Sequence, residues 1–325
     1  VTDLVQSIVM TGALAIVLIY GISRAGGWTA VMDNAAALPG YLSLTSTFDV
    51  ASGSEVKYNF LTIFSTAAWG LGYFGMPHIL VRFMAIEDEK KLVLSRRIAS
   101  VWVVIAMTAG VLIGIVGLGM TKAGALETLT GSNSETIIVR IAGIISQHNA
   151  LTALIAGIIL AGILAATMST ADSQMLAAAS GVSQNIVHDF LKIKISEKTN
   201  LLIARLTIVG IAIVSIFLAR NPNSSVFKIV SFAWAGFGGA FGAVVLCSLF
   251  WKRCNLAGAI AGIISGGATV FIWKYLIRPL GGILDIYELL PAFIVSLIFI
   301  IVVSLLTKAP DEEIVREFEA ASQKA

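Results

Sequence analysis

Across its 325 residues the chain carries 57% hydrophobic and only 13% charged side chains, with a mean hydropathy of +0.91. Soluble domains carry about 25% charged residues, so this composition excludes an ordinary soluble domain and indicates an all-α, polytopic membrane protein. The formal charge of +3 comes from basic residues spread over the connecting segments, which excludes a nucleic-acid patch.

Eight apolar stretches reach the ~20 residues that a bilayer-crossing helix requires. They are roughly 2–22, 59–80, 98–121, 150–180, 200–219, 226–250, 256–277 and 287–307. The segment 134–146 is too short to span, has apolar residues at helical spacing, and reads as an amphipathic helix on the outer face. Residues 309–325 form a charged, helical, cytoplasmic tail after a transmembrane domain at 1–308. Cys247 and Cys254 lie within or just beyond one span, and no disulfide is expected from them. The chain opens with Val1 and enters the membrane almost at once, without a charged n-region or cleavage site. It therefore reads as a piece of a longer protein and not as a processed signal peptide. Alternate connections hold fourteen and eight Lys and Arg residues, and the richer side is expected to be cytoplasmic. Both ends of the chain then lie inside the cell.

The second stretch is interrupted. Three glycines and a proline fall within Gly70-Leu71-Gly72-Tyr73-Phe74-Gly75-Met76-Pro77. Unpaired backbone groups at membrane depth are tolerated only where they face protein or a water-filled cavity, and discontinuous helices mark the binding sites of secondary transporters. Glycines also ease ordinary helix packing, but that accounts for one or two of them and not for a cluster flanked by Trp69, Tyr73 and His78. Trp69 and Tyr73 are spaced i, i+4, so they share a face if the helix persists that far. Trp102, Trp251 and Trp273 read as interfacial or packing residues.

In the fourth stretch, Ala166, Ser169, Thr170 and Ser173 fall at i, i+3, i+4 and i+7, on one helical face. Their oxygens suit a hard, weakly held cation, and with one carboxylate nearby sodium fits better than calcium. The same residues also suit back-bonding or helix gluing, and spacing alone does not separate the two. Asp172 favours the ion reading, because a carboxylate within a span costs about 2.5–3.5 kcal/mol and usually faces an ion pathway. A place near the wet end of the helix is its plainer explanation. Asp3, close to the boundary of the first span, is a weaker candidate.

The glycines of 238–242 and 258–266 repeat every four residues and serve close helix approach, with a gating role for 232–239 the weaker reading. His78, His148 and His188 are scattered and make no metal site. No nucleophile–base pair and no GxxxxGK[ST] phosphate loop occurs, so neither an enzyme nor an ATP-driven pump is expected.

The run from Trp69 to Ile79 with Arg82-Phe83-Met84, the segments Leu164–Leu176 and Ser231–Gly242, and Thr2-Asp3 with Gln6 together resemble the sodium:solute symporter family, most closely its bacterial proline-carrying members. The resemblance implies a leucine-transporter-type inverted repeat. It places the last helix of the first repeat, the whole second repeat and two extra helices in this chain, with the preceding N-terminal helices as absent partners. It makes the Ala166 carbonyl and the Ser169 and Thr170 hydroxyls sodium ligands, and maps a second cation position near Asp3, Asp172 and Ser173. Trp69, Tyr73 and Pro77 match positions associated with proline, and Met76 stands where some proline symporters carry glutamine. The implied activity is sodium-coupled uptake of L-proline by alternating access across the cell membrane. A potential of 100 mV contributes about 2.3 kcal/mol per sodium ion, and a tenfold gradient adds about 1.4. Alternatives are another cargo (a different amino acid, pantothenate or a sugar acid) or a transporter-like sensor, which the short tail disfavours.

Overall fold

The computed structural model describes residues 2–193, 196–221 and 224–324; Lys194, one of the basic residues assigned to the cytoplasmic side, lies outside them. In chain order the elements are α1 (Thr2–Arg24), α2 (Trp28–Ala36), β1 (Ser46–Asp49), β2 (Ser54–Lys57), α3 (Phe60–Ala67), α4 (Trp69–Gly72), α5 (Pro77–Met84), α6 (Lys91–Lys122), α7 (Ile137–Ser146) and α8 (Ala150–Ser180). They continue as α9 (Glu197–Leu218), α10 (Val226–Phe237), α11 (Ala243–Phe250), α12 (Leu256–Ile272), α13 (Leu289–Leu306) and α14 (Glu312–Lys324).

Among the described residues, 7 helices are long and apolar enough to cross a membrane. They cover seven of the eight expected spans. α8 runs on through wide turns to Phe190 as one helix of 41 residues, and α10 and α11 join through wide turns at 238–242 into a helix of 25 residues. The eighth expected span, 59–80, is not one helix but the succession α3, α4, a 3₁₀ turn at Tyr73–Gly75, and α5.

The chain forms two compact units. One comprises residues 1–56 and 86–226. In it α1 packs on α6 and α8, around Val17, Ile113, Val116, Met120, Ile141 and Ile159, each almost fully buried. Gly162 allows α8 to approach α1, since an added Cβ would stand 3.3 Å from the Ala13 side chain. The expected amphipathic helix is present as α7. Its apolar residues Ile141, Ala142 and Ile145 are buried against this core, while Arg140 on its exposed side pairs with Glu127 at 3.1 Å. α8 begins at a capping box, in which Asn149 accepts from the Thr152 amide at 2.9 Å and Thr152 accepts from the Asn149 amide at 3.0 Å. The short hairpin of β1 and β2 and the helix α2 carry no strong periodic signal and have no counterpart among the sequence expectations.

The other unit comprises residues 57–85 and 227–325. Here α12 lies along α13 through a stripe of glycines. The Ser296 hydroxyl donates to the Gly262 carbonyl at 3.0 Å, and Gly258 and Gly262 sit against Ser304 and Ile300. Asn255 caps α12 by accepting from the Gly258 amide at 2.8 Å, and its side-chain amide donates to Thr307 Oγ1 at 2.7 Å beyond the end of α13. On its other side Gly266 meets the Gly239 carbonyl, which brings α12 into contact with the wide turn between α10 and α11. Without a hydrophobic force between helices in lipid, this close packing does the joining.

Gly266→Ala drives a Cβ into the Gly239 backbone, and overpacking of this kind costs about 1–3 kcal/mol. Its thermal unfolding midpoint in detergent is expected to fall. Gly110→Ala, where an added Cβ meets nothing within 4 Å, should change it little. Equal midpoints for the two variants would remove this contact from the account.

Candidate functional site

The broken segment is built from local backbone chemistry. Asn59 caps α3 by accepting from the Thr62 amide at 2.9 Å, and the helix runs through Ala68 into α4. The chain then tightens into the 3₁₀ turn and reaches Met76, which is extended at φ −86° and ψ 111°. Pro77 is the cause: it disfavours a helical conformation in the preceding residue, and its missing N–H suits the first position of the next helix. The interruption therefore centres on Met76-Pro77, at the far end of the Gly70–Pro77 run and several residues beyond Gly70 and Gly72. Those glycines stay helical.

Gly72 and Gly75 have another purpose. A Cβ on Gly72 would collide with the indole of Trp234, and one on Gly75 with the Phe237 carbonyl. The segment is pressed onto α10 and the wide turn that follows it, at a distance only glycine permits.

Trp69 and Tyr73 do share a face, and both meet Trp234. The Trp69 ring stacks on Trp234 at 5.4 Å, while Tyr73 meets Trp234 edge-on at 4.8 Å. Trp69 also stacks on Phe227 at 5.7 Å and on Tyr287 at 5.8 Å. Such pairs contribute about 0.5–1.5 kcal/mol each beyond area burial. Trp234 Nε1 donates to the Trp69 carbonyl at 3.0 Å, which ties the start of α4 to α10. Tyr73 keeps 49% of its surface exposed, and Pro77 is exposed as well. The exposed Tyr73 ring and Pro77 leave apolar surface beside the interruption, of the kind that lines small-solute sites.

Trp234, Phe227 and Tyr287 are the members of this wall that the sequence did not single out. Trp234 stands within the Ser231–Gly242 run, whose glycines drew attention instead. Tyr287 precedes α13 with no pattern to mark it. Burial and the adjacent Glu288 carboxylate push its phenol above its ordinary value, so it stays a neutral donor, and it donates to the Ser231 carbonyl at 2.8 Å.

The hydroxyl-bearing face lies on α8, in the other unit. Ala166, Ser169 and Ser173 are half-buried and Thr170 is exposed. Thr170 Oγ1 donates to the Ala166 carbonyl at 3.4 Å, and Ser173 donates to the Ser169 carbonyl at 3.1 Å. These are the back-bonds that the plainer reading anticipates. They do not exhaust the oxygens, because a hydroxyl that donates one proton keeps its lone pairs and a carbonyl has two. Ala166, Ser169 and Thr170 thus offer neutral oxygen donors of the kind a weakly held monovalent cation takes. Asp172 is exposed. Asp3 belongs to the first turn of α1, and its side chain lies outside the described residues.

The sequence model of the Sodium:solute symporter family matches residues 1–266. The chain is 38% identical over 317 residues to the osmoregulated proline transporter of Bacillus subtilis, a match that covers 98% of this chain and 61% of that protein. It is 36% identical over 326 residues to the sodium/proline symporter of Haemophilus influenzae, covering 99% and 62%. Against the sodium/proline symporter of Salmonella typhimurium it is 36% identical over 321 residues, covering 98% and 60%. The chain therefore spans about three-fifths of the length of these curated relatives.

The two glycines of α4 should respond differently to substitution. Gly72→Ala must displace the Trp234 ring and is expected to lower the unfolding midpoint and raise protease susceptibility of the 67–77 segment. Gly70→Ala, with nothing within 4 Å of the added Cβ, should behave as the parent does in the same assays. Identical digestion patterns for the two would show that α4 is not held against Trp234.

Proposed function

We propose that this chain, which belongs to the sodium:solute symporter family, takes part in sodium-coupled uptake of L-proline across the cell membrane by alternating access. The family, the multi-pass helical architecture and the names of relatives that carry proline support this reading. The carrying observation is that the Ala166 carbonyl and the Ser169, Thr170 and Ser173 hydroxyls fall on one face of α8, a helix long and apolar enough to cross a membrane.

In this reading the Ala166 carbonyl and the Ser169 and Thr170 hydroxyls hold the coupling sodium ion. The family's shared ion position also draws on the first repeat helix, a contribution assigned here to residues outside these 325. Asp3, Asp172 and Ser173 remain a secondary cation proposal, in which Asp172 stands exposed on α8. Trp69 and Tyr73 form the apolar wall for the proline ring, and Pro77 creates the interruption at which main-chain groups meet the solute's charged end. A leucine-transporter-type inverted repeat, with residues 1–308 as the transport domain and both chain ends cytoplasmic, completes the proposal. The ion gradient and membrane potential supply the driving force, so ATP is not required.

Sodium titration of proline uptake by the full-length protein tests the ion assignment. Thr170→Ala removes one ligand, a loss of about 1.4–3 kcal/mol, and should raise the half-saturating sodium concentration about tenfold or more with little change in abundance. Unaltered sodium dependence in both Thr170→Ala and Ser169→Ala would return this face to helix packing.

The solute assignment has its own test. Tyr73→Ala is expected to raise the half-saturating proline concentration, while sodium affinity measured without proline stays unchanged, because coupling acts only through the reciprocal effect of the two ligands. An unchanged proline affinity in both Tyr73→Ala and Trp69→Ala would place the pocket elsewhere.

A further inference from the structure

Glu288 is the one buried carboxylate among the described residues, 1% exposed, and it stands immediately before α13. It is not left as an isolated charge. Arg278 Nη1 donates to it at 3.0 Å, and the Lys274 ammonium lies 3.6 Å from its other oxygen. Arg278 Nε in turn donates to Asp285 at 2.8 Å, giving a group of two cations and two carboxylates with no net charge. The Lys274 ammonium also sits 3.8 Å over the Phe232 ring of α10.

A buried ion group is weak evidence for added stability, since desolvating the charges offsets most of their attraction. Specifying one geometry is the better-attested use of such a group. What this one specifies is the path of the chain from 278 to 288, and the residue delivered by that path is Tyr287. Its hydroxyl is bonded to the Ser231 carbonyl of α10, and its ring stacks on Trp69. The order of contacts is Arg278 and Lys274 to Glu288, then Tyr287, then Trp69. Every one of these residues lies in the same compact unit.

Resting on the assignment of Trp69 to the solute wall, we infer that Glu288 is a positioning residue for that wall. Held by Arg278 and Lys274, it sets Tyr287 against Trp69 and so fixes the ring that the solute meets. It touches neither ion nor solute itself. The ion group at the end of α12 thereby sets solute affinity from outside the pocket.

The test uses the full-length protein labelled with 5-fluorotryptophan, in sodium-free buffer without solute, with the Trp69 resonance assigned from Trp69→Phe. Glu288→Asp keeps the charge but shortens its reach. Tyr287→Leu removes the stacked ring without orphaning a charge. Both should displace the Trp69 resonance. Both should also raise half-saturating proline about fivefold or more, with maximal rate per inserted molecule changed far less, the pattern of lost binding and not lost turnover. Glu288→Gln should act in the same direction, and if it fails to reach the membrane Glu288→Asp decides. An unmoved Trp69 resonance with unchanged proline affinity in Glu288→Asp would overturn the inference and leave the ion group a packing staple. Absence of sodium-driven proline uptake in the parent would instead sink the transport reading, while the resonance would still decide whether Glu288 positions Trp69.

Discussion

Backbone hydrogen bonding in lipid is the constraint on which the rest of this structure depends. A helix may stop inside a bilayer only where other groups receive its freed N–H and C=O atoms. Here the stop is imposed by Pro77, which turns Met76 extended, and the Tyr73 carbonyl that loses the Pro77 N–H accepts from the Met76 amide at 3.4 Å instead. Trp234 bonds the Trp69 carbonyl, and Gly72 and Gly75 let the segment press against the Trp234 ring and the main chain at Phe237. The wide turns at 238–242 follow directly, and the glycine stripe of α12 packs on that turn through Gly239 and Gly266. Glycines on three elements thus serve one continuous set of close contacts, from Gly72 and Gly75 through Gly239 to Gly266.

The same constraint organises the chemistry. The rings gathered by Trp234 form an apolar face next to the interruption. On α8 the backbone is continuous, so the oxygens the proposed ion site would use are hydroxyls and the spare lone pairs of carbonyls already in helical bonds. One unit therefore carries groups suited to an amphipathic solute and the other carries groups suited to a small cation.

Much of this was legible in the sequence because hydropathy and helical period are strong signals in membranes. The uninterrupted spans, α7 and the shared face of Trp69 and Tyr73 all follow from spacing. The centre of the interruption did not. Glycines suggest unwinding, but their use at Gly72 and Gly75 is close approach, a tertiary fact decided by Trp234 and Phe237 more than 160 residues away. Tyr287 and Glu288 were invisible for a similar reason. A tyrosine and a glutamate at a helix entrance look like ordinary boundary residues, and only folding shows the carboxylate buried between Arg278 and Lys274. The hairpin of β1 and β2 escaped because its strands are four residues each, too short for alternation to register.

The central claim is that solute recognition beside the Met76-Pro77 interruption is coupled to sodium. Equilibrium binding of radiolabelled proline to the purified full-length protein, compared in sodium and in potassium at equal ionic strength, tests it without a gradient or a turnover rate. The account predicts saturable binding in sodium that weakens by about tenfold or more in potassium, which is the scale of ordinary coupling free energies. Equal proline binding in the two salts, or saturable binding of a different solute with none of proline, would contradict it.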